Sequence, residues 1–241
     1  MRSAQLDRYV RDAAIVAGGA AAILLQVADP VVAHGVAERS AFATDPMRRL
    51  RHTLSFVYAV MAGDERQRAR AAAFTDRAHD GVPGARDPDR QLWVAATLYE
   101  VGHSVQERLD GPLPAALDAE LLAASAALGT ALQVPADRWP ADRAAFDAYW
   151  RDAVAGLAVG DDARAIAREL LQPRSAPWWV RAGMPLVRAI TPTLLPASLA
   201  TAYGFDPERR ARAAWMLLRA LVRITPRRLR TLPARRLLAT L

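Results

Sequence analysis

Apolar residues recur at helical spacing along almost the whole chain, and no run alternates as a long strand would. The segment from Pro207 to Thr225 illustrates the pattern with apolar positions at Ala211, Ala214, Trp215, Leu218 and Val222. Residues three and four apart share a helix face, so this spacing predicts a helix with one buried side. Hydrophobic residues make up 52% of the chain, carried mostly by Ala, Leu and Val. Frequent helix formers favour an all-α fold, here a single globular multi-helix domain over residues 1–241.

The same periodicity, with the residues that begin and end helices, predicts the individual elements. Asp29-Pro30, Gly81 with Pro83, and Asp87-Pro88 interrupt the pattern, while Thr44 or Asp45 before Pro46 and Asp64 are predicted caps. These signals predict helices near residues 3–11, 20–28, 31–39, 47–61, 64–79, 92–109 and 207–225. Three more helices are predicted at residues 115–132, 141–157 and 161–171.

The predicted helices over residues 47–61 and 64–79 are joined by a short turn around Gly63. Two helices joined in this way lie antiparallel. His52 on the first and His79 at the end of the second can therefore approach each other across the pair. Helical spacing also puts Arg49, His52, Thr53 and Phe56 on one face of the first helix.

Three segments depart from ordinary amphipathic helices. Between Asp12 and Asp29 lie 16 uncharged, mostly apolar residues, fewer than the ~20 that a spanning helix needs. A buried core helix is favoured there over a signal peptide or membrane anchor. Prolines break residues 173–196, which also hold Trp178-Trp179, and we expect short helices that wrap a core or touch a membrane surface. Residues 226–241 form a basic amphipathic tail, a solvated face or a peripheral membrane contact.

The chain has a net charge of +7, and every basic residue is Arg. Because Ala and Arg are both in excess, we attribute this charge to coding bias and predict a solvated basic surface and no nucleic-acid partner. The absence of Cys excludes disulfides, iron–sulfur clusters and thiolate chemistry. We expect a cytoplasmic protein, with membrane-peripheral attachment as the alternative.

Histidine is the scarce residue that limits candidate metal chemistry. The chain has four, His34, His52, His79 and His103, so a site that binds metal through protein nitrogen must draw on them. Taken alone, His79 at a helix end reads as a capping or hydrogen-bonded residue. The sequence holds no Gly-rich phosphate loop, metalloprotease His-Glu pair or nucleophile elbow.

The order of several short motifs changes this interpretation. The motifs are Leu24 to Pro30, Val32 to Val36, Arg39-Ser40, Asp45-Pro46, Arg49 to Thr53, His79 with Val82 and Gly84, Asp87-Pro88, Trp93-Val94, Asp147 to Trp150, Leu194 to Pro196 and Ala202 to Gly204. In this order they resemble the MpaB-type and rubber oxygenase (latex-clearing protein) catalytic domain family over nearly the whole chain. That resemblance implies an all-helical domain around a central heme b pocket, used with O2 on alkene-containing, terpenoid-like substrates.

The resemblance also implies roles for single residues. His79 matches the family histidine taken to be the proximal iron ligand, and His52 stands where the rubber-cleaving branch carries a lysine in an Arg-x-x-Lys-Thr motif. His52 can then be the distal iron ligand or donate a hydrogen bond to bound oxygen. Arg49 would serve a heme propionate or the distal pocket, and Thr53 would hydrogen-bond within that pocket.

The chain also departs from the family pattern. Asp29, Arg39 and Ala95 stand where many relatives carry histidine. We therefore expect a heme-dependent oxygenase with a small apolar substrate, its pocket lined from residues 20–36 and 56–61. Two alternatives remain, a heme-binding sensor or bis-histidine carrier without turnover and a cofactor-free basic helical scaffold.

Overall fold

Helices make up nearly all the regular structure in the computed structural model, which describes residues 2–38, 46–206 and 208–241. No strand occurs in these ranges, so the all-α prediction is confirmed. The first helices are α1 (Ala4–Val10), α2 (Gly19–Gln26), α3 (Pro30–Glu38), α4 (Pro46–Ala62), α5 (Glu65–Ala78), α6 (Pro88–Asp110), α7 (Ala115–Ser125) and α8 (Ala127–Thr130). The remaining helices are α9 (Arg143–Ala155), α10 (Asp161–Leu171), α11 (Trp178–Ile190), α12 (Ala197–Ala202), α13 (Glu208–Ile224), α14 (Arg227–Arg230) and α15 (Leu232–Leu238).

Predicted caps hold two of these helices at their starts. The Asp64 side chain accepts a hydrogen bond from the Gln67 backbone N–H, and Gln67 returns one to Asp64, which completes a capping box. Asp87 accepts from the backbone N–H of Asp89, with Pro88 at the first helical position. The predicted caps Thr44 and Asp45 lie outside the described residues.

Helix α6 runs through the centre of the fold and separates the two main hydrophobic clusters. On one side Leu92, Ala96 and Tyr99 pack with the fully buried Tyr58 and Phe146. On the other side Trp93, Val101 and Val105 pack with α2 and with the turn after α11. This double-sided burial explains why apolar residues occupy more than one side of this 23-residue helix between Leu92 and Val105.

Helix α2 is a core helix whose buried C-terminal end has its carbonyl groups satisfied. Trp93 donates to the Leu25 carbonyl at 3.2 Å, and the Tyr203 hydroxyl donates to the Leu24 carbonyl at 2.7 Å. Without such partners a buried helix end would be costly. The favoured sequence interpretation, a buried helix between Asp12 and Asp29, agrees with the burial of Leu24, Leu25 and their neighbours.

Among the described residues, no single helix has the length and hydropathy of a membrane span. One bent pair, Ala4–Val10 followed by Ala13–Gln26 with an angle of 44°, passes that test when taken together.

The Pro-rich segment differs from its prediction. Residues 178–190 form one 13-residue helix with Pro185 inside it, and a 3-10 turn follows at Thr191–Leu194. Met184 and Ile190 face the core. The two tryptophans do not wrap it, since Trp178 is 77% exposed and Trp179 is also exposed.

The C-terminal tail is a packed part of the domain. Helix α15 contacts α4 and buries Ala234 and Leu238. Gln67 donates to the Leu238 carbonyl at 2.7 Å, and Arg230 pairs with Asp12. The apolar side of α15 is therefore turned to the protein, whereas Leu229 and the tail arginines 227, 228, 235 and 236 are exposed.

Candidate functional site

The candidate site is built on the hairpin of α4 and α5. The two helices contact each other along their length and are joined through Gly63 and Asp64. A Cβ added at Gly63 would lie 2.5 Å from the Ala59 carbonyl oxygen, so the tight turn requires glycine. His52 and Phe74, each 11 positions from Gly63, are in ring contact, which agrees with the predicted antiparallel arrangement. His52 and His79 then lie toward the end of the hairpin away from the turn.

His52 lies beside an aromatic ring from the facing helix. Its imidazole meets Phe74 in an edge-to-face contact, with ring centroids 4.9 Å apart and an interplanar angle of 73°. His52 is half-buried, whereas Phe74 is 44% exposed. A partly open aromatic surface therefore adjoins the imidazole.

His79 ends helix α5 as its C-terminal cap. Its backbone N–H donates to the Thr75 carbonyl at 3.1 Å, and its own carbonyl accepts from Val82 at 3.1 Å. The side chain is half-buried, and its Nδ1 atom is screened from solvent. His79 is thus held at the junction of a helix and a tight turn.

The turn after His79 packs directly on helix α3. Gly84 has a φ of +69°, and a Cβ there would lie 2.8 Å from Val31 Cγ1. On the other side of the contact, a Cβ at Gly35 would lie 3.1 Å from Val82 Cγ1. Only residues without a side chain allow this approach, which explains why both glycines belong to the motif series.

The other predicted site residues extend along helix α4. Phe56 is buried in the core, and Thr53 is exposed. Arg49 lies on α4 one turn before Thr53, and its side chain is outside the described atoms. Burial therefore differs along the predicted face: Thr53 is exposed, His52 is half-buried and Phe56 is in the core.

The remaining histidines lie elsewhere in the fold. His34 is exposed, with Nε2 3.2 Å from Glu38 Oε1, and His103 is buried, with Nε2 2.9 Å from Asp118 Oδ1. Within the described ranges, no three His, Asp or Glu side chains form a group that could hold a metal ion. His52 and His79 are therefore the histidines that share one structural unit.

Comparison with known proteins decides the family. The sequence profile described as the catalytic domain of ER-bound oxygenase mpaB/B'/rubber oxygenase matches residues 7–224. The chain belongs to this family. This oxygenase domain is also similar to two uncharacterized proteins, from Mycobacterium bovis and Mycobacterium tuberculosis, each 35% identical over 176 residues. Those residues cover 68% of this chain and 69% of each relative. No solved structure matches it.

Family membership supports an oxygenase, and so an oxidoreductase, in general terms. Helices α14 and α15 lie beyond the matched residues, although they pack on the matched part.

Two of the three departures from the family pattern have structural roles in this oxygenase domain. Asp29 caps α3, because its Oδ1 accepts from the backbone N–H groups of Val31 and Val32 at 2.7 and 3.1 Å. Its Oδ2 also lies 3.4 Å from Arg90 Nε. Ala95 is 1% exposed and packed in the core. Arg39 lies outside the described residues.

Sequence analysis missed a buried polar cluster on helix α6. Glu100 Oε2 lies 3.2 Å from Arg143 Nη2, and the Arg143 guanidinium also lies over the Phe146 ring. Burial raises the pKa of Glu100 to about 7, an effect that the Arg143 charge only partly offsets. The sequence did contain a signal for this cluster, because Glu100 and His103 interrupt the mainly apolar central stretch of α6. Only the packing of α9 and α7 reveals that these side chains are enclosed.

Two cavities of similar size open elsewhere on the oxygenase domain. One of about 580 Å³ is lined by residues of α9 and α12, including Trp150, Val154 and Leu199. The other, of about 550 Å³, lies between Arg108, Thr193 and Arg212. Neither cavity includes a residue from 20–36 or 56–61, the segments predicted to line a substrate pocket, and most of the apolar side chains in those segments pack into the core.

Proposed function

We propose that this chain is a heme b-dependent oxygenase that uses O2 on a small apolar, alkene-containing substrate, with His79 as the proximal iron ligand. One observation carries the proposal. His52 and His79 lie on two packed antiparallel helices, one beside an exposed aromatic ring and the other with a ring nitrogen screened from solvent.

The donor set fits a heme better than a metal ion held by side chains alone. A metal ion held by side chains alone needs several protein ligands close together, and the described residues contain no such group. A porphyrin supplies the ligands in its own plane, so the protein provides only axial ones. One or two imidazoles on a hairpin, next to an apolar surface such as Phe74, are suited to that requirement.

The other residues of the hairpin would orient the group and its substrate. Arg49 would bind a propionate, because guanidinium forms paired hydrogen bonds with a carboxylate. His52 would be a second ligand to the group or would donate a hydrogen bond within the pocket, and Thr53 would add a hydroxyl at the solvent edge. When bound, heme supplies the oxygen-activating chemistry, while the protein orients the alkene and excludes competing reactions.

A heme-binding protein without turnover is the second candidate. It is favoured by His52 in the position of the family's lysine and by the structural use of Asp29 and Ala95 in place of histidines. His52 and His79 would then both hold the group, and it would supply electron transfer or sensing without oxygenase turnover.

The test is the visible spectrum of the full chain, purified after expression with heme supplied. We expect a Soret band that His79→Ala abolishes and that the control His34→Ala, at an exposed histidine, leaves intact. His52→Ala should change the ligation state of the ferric protein while retaining the band. Absence of any Soret band overturns both heme candidates and leaves the basic helical scaffold. A reduced form that binds neither O2 nor CO favours the carrier.

A further inference from the structure

Large apolar side chains are exposed mainly on one part of the fold. Of the nine that the described residues leave exposed, seven lie between residues 178 and 229. They are Trp178, Trp179, Met216, Leu217, Leu221, Ile224 and Leu229. An exposed apolar patch of this kind is typical of an interaction surface.

On helix α13 the exposed apolar residues form a regular row. Ala214, Trp215 and Leu218 face the protein and are buried. Leu217, Leu221 and Ile224, at i, i+4 and i+7, lie on an adjacent stripe that no part of the described fold covers, and Ile224 is 74% exposed. Arg212, Arg219 and Arg223 are also exposed and lie along the other edge of the buried strip. The helix is therefore apolar over a wider face than its own core uses.

Helix α11, which contacts α13, also exposes apolar residues to solvent. Met184 and Ile190 point inward, while Trp178, Ala182 and Pro185, at i, i+4 and i+7, are all exposed. Arg181 and Arg188 lie to one side of that exposed row. We call the exposed sides of α11 and α13 the apolar–arginine face.

Charge is distributed very unevenly along the chain. Residues 170–241 contain thirteen Arg and two acidic residues, whereas residues 1–169 contain nineteen Arg and twenty-three acidic residues. The net positive charge of +7 thus comes entirely from the part that carries the apolar–arginine face.

We propose that the apolar–arginine face docks on the surface of an anionic phospholipid membrane. Tryptophan favours the boundary between lipid headgroups and acyl chains, and arginine can extend its charged end to the phosphates while its stem lies on apolar surface. Interfacial helices with an aromatic and aliphatic side beside basic residues bind anionic lipid in this way.

The other occupants fit the face less well. A second copy would bring two strongly positive surfaces together, which is unfavourable. A nucleic acid would match the arginines but would leave the Leu217, Leu221 and Ile224 row without an apolar partner. The C-terminal tail is not an equivalent surface, because its apolar residues Ala234 and Leu238 are already buried.

The experiment is co-sedimentation of the full chain with vesicles of phosphatidylcholine alone or of phosphatidylcholine mixed with phosphatidylglycerol. We expect binding to the mixed vesicles only. Arg212→Gln/Arg223→Gln should weaken it about twenty-five-fold, from roughly five-fold for each arginine near an anionic surface. The matched control Arg66→Gln/Arg68→Gln removes two exposed arginines from α5 and should leave it unchanged. Trp178→Ser/Trp179→Ser should weaken binding and remove the blue shift of tryptophan fluorescence that insertion causes.

Several results would overturn the proposal. One is no binding to the mixed vesicles, and another is equal weakening by the two arginine pairs. A third is a dimer in solution that Leu217→Gln/Ile224→Gln converts to monomer, since the face would then bind a second copy. A fourth concerns competition by an oligonucleotide. If the same concentration displaces wild type and Trp178→Ser/Trp179→Ser from the vesicles, the tryptophans contribute nothing to membrane binding. Circular dichroism of each variant checks that the helices are intact.

Discussion

Arg143 Nη2 lies 3.2 Å from Glu100 Oε2, yet this ion pair does not restore an ordinary acidity to the carboxyl group. Arg143 is shared, because its Nε also lies 2.8 Å from Asp147 Oδ1 and its Nη1 donates to the Tyr99 hydroxyl. Burial on α6 is the dominant effect and raises the pKa of Glu100 to about 7. The pair therefore links α6 to α9 at a cost in stability when the carboxylate is charged.

The first prediction concerns the pH dependence of stability. A folded-state pKa above the unfolded value of 4.5 means that the contribution of Glu100 is fully present below about 4.5 and is lost as pH rises through about 7. Glu100→Gln cannot ionise, so we expect it to match wild type at low pH. At alkaline pH it should be more stable, by on the order of 2 kcal/mol. Urea unfolding at the two pH values measures the difference.

Asp110→Asn is the matched control, since it replaces an exposed carboxylate on the same helix. It should show no comparable rise in stability relative to wild type between the two pH values. If Glu100→Gln follows the wild-type pH profile, Glu100 is not held in the buried state described here.

Sequence alone could predict the helices and the hairpin because their signals are local. Asp64 with Gln67 and Asp87 with Pro88 encode helix starts within a few residues. The short turn at Gly63 likewise fixes the antiparallel relation that brings His52 and His79 to one unit.

The environment of Glu100 and of the tryptophan pair could not be predicted in the same way. A polar residue inside an apolar helix is buried or solvated according to which helix packs on it, and that partner, α9, lies more than 40 positions later. Trp178 is 77% exposed, because none of the later segments that the structure describes covers it. Burial at such positions depends on tertiary contacts between distant parts of the chain.

The second prediction tests the close packing on α6 of Gly18, the last residue of a 3-10 helix over Ala13–Gly18. A Cβ at Gly18 would lie 2.4 Å from Val101 Cγ1 and 2.9 Å from Val105 Cγ2, inside a packed core. Gly18→Ala should therefore destabilise the fold by about 1–3 kcal/mol through overpacking. Gly19→Ala meets nothing within 4 Å and should be neutral or slightly stabilising. Thermal unfolding of the two variants compares adjacent positions, and equal melting temperatures would contradict the described packing.

The third prediction concerns the C-terminal tail. Leu238 is buried against the helices of the main core, whereas Leu229, nine residues earlier, is 57% exposed. Leu238→Ala should cost about 2–3 kcal/mol by leaving a cavity. Leu229→Ala should change the free energy of unfolding by less than about 0.5 kcal/mol. Chemical denaturation gives both values, and a Leu238→Ala variant as stable as Leu229→Ala would mean that the tail is not part of the folded domain.

The last prediction concerns Asp29, one of the positions at which the resemblance to the family implied a histidine. Its Oδ1 accepts two backbone hydrogen bonds at the start of α3, and its Oδ2 pairs with Arg90. Asp29→His should lose the cap and the ion pair and destabilise the fold by about 1–2 kcal/mol, whereas Asp29→Asn keeps a capping oxygen and should lose less. Because α3 packs on the turn after His79, the histidine variant should also retain less heme if the proposed function holds. Unfolding experiments measure the first effect and the Soret absorbance the second. A histidine variant that gains both stability and heme would instead mean that Asp29 replaces a residue of the heme pocket.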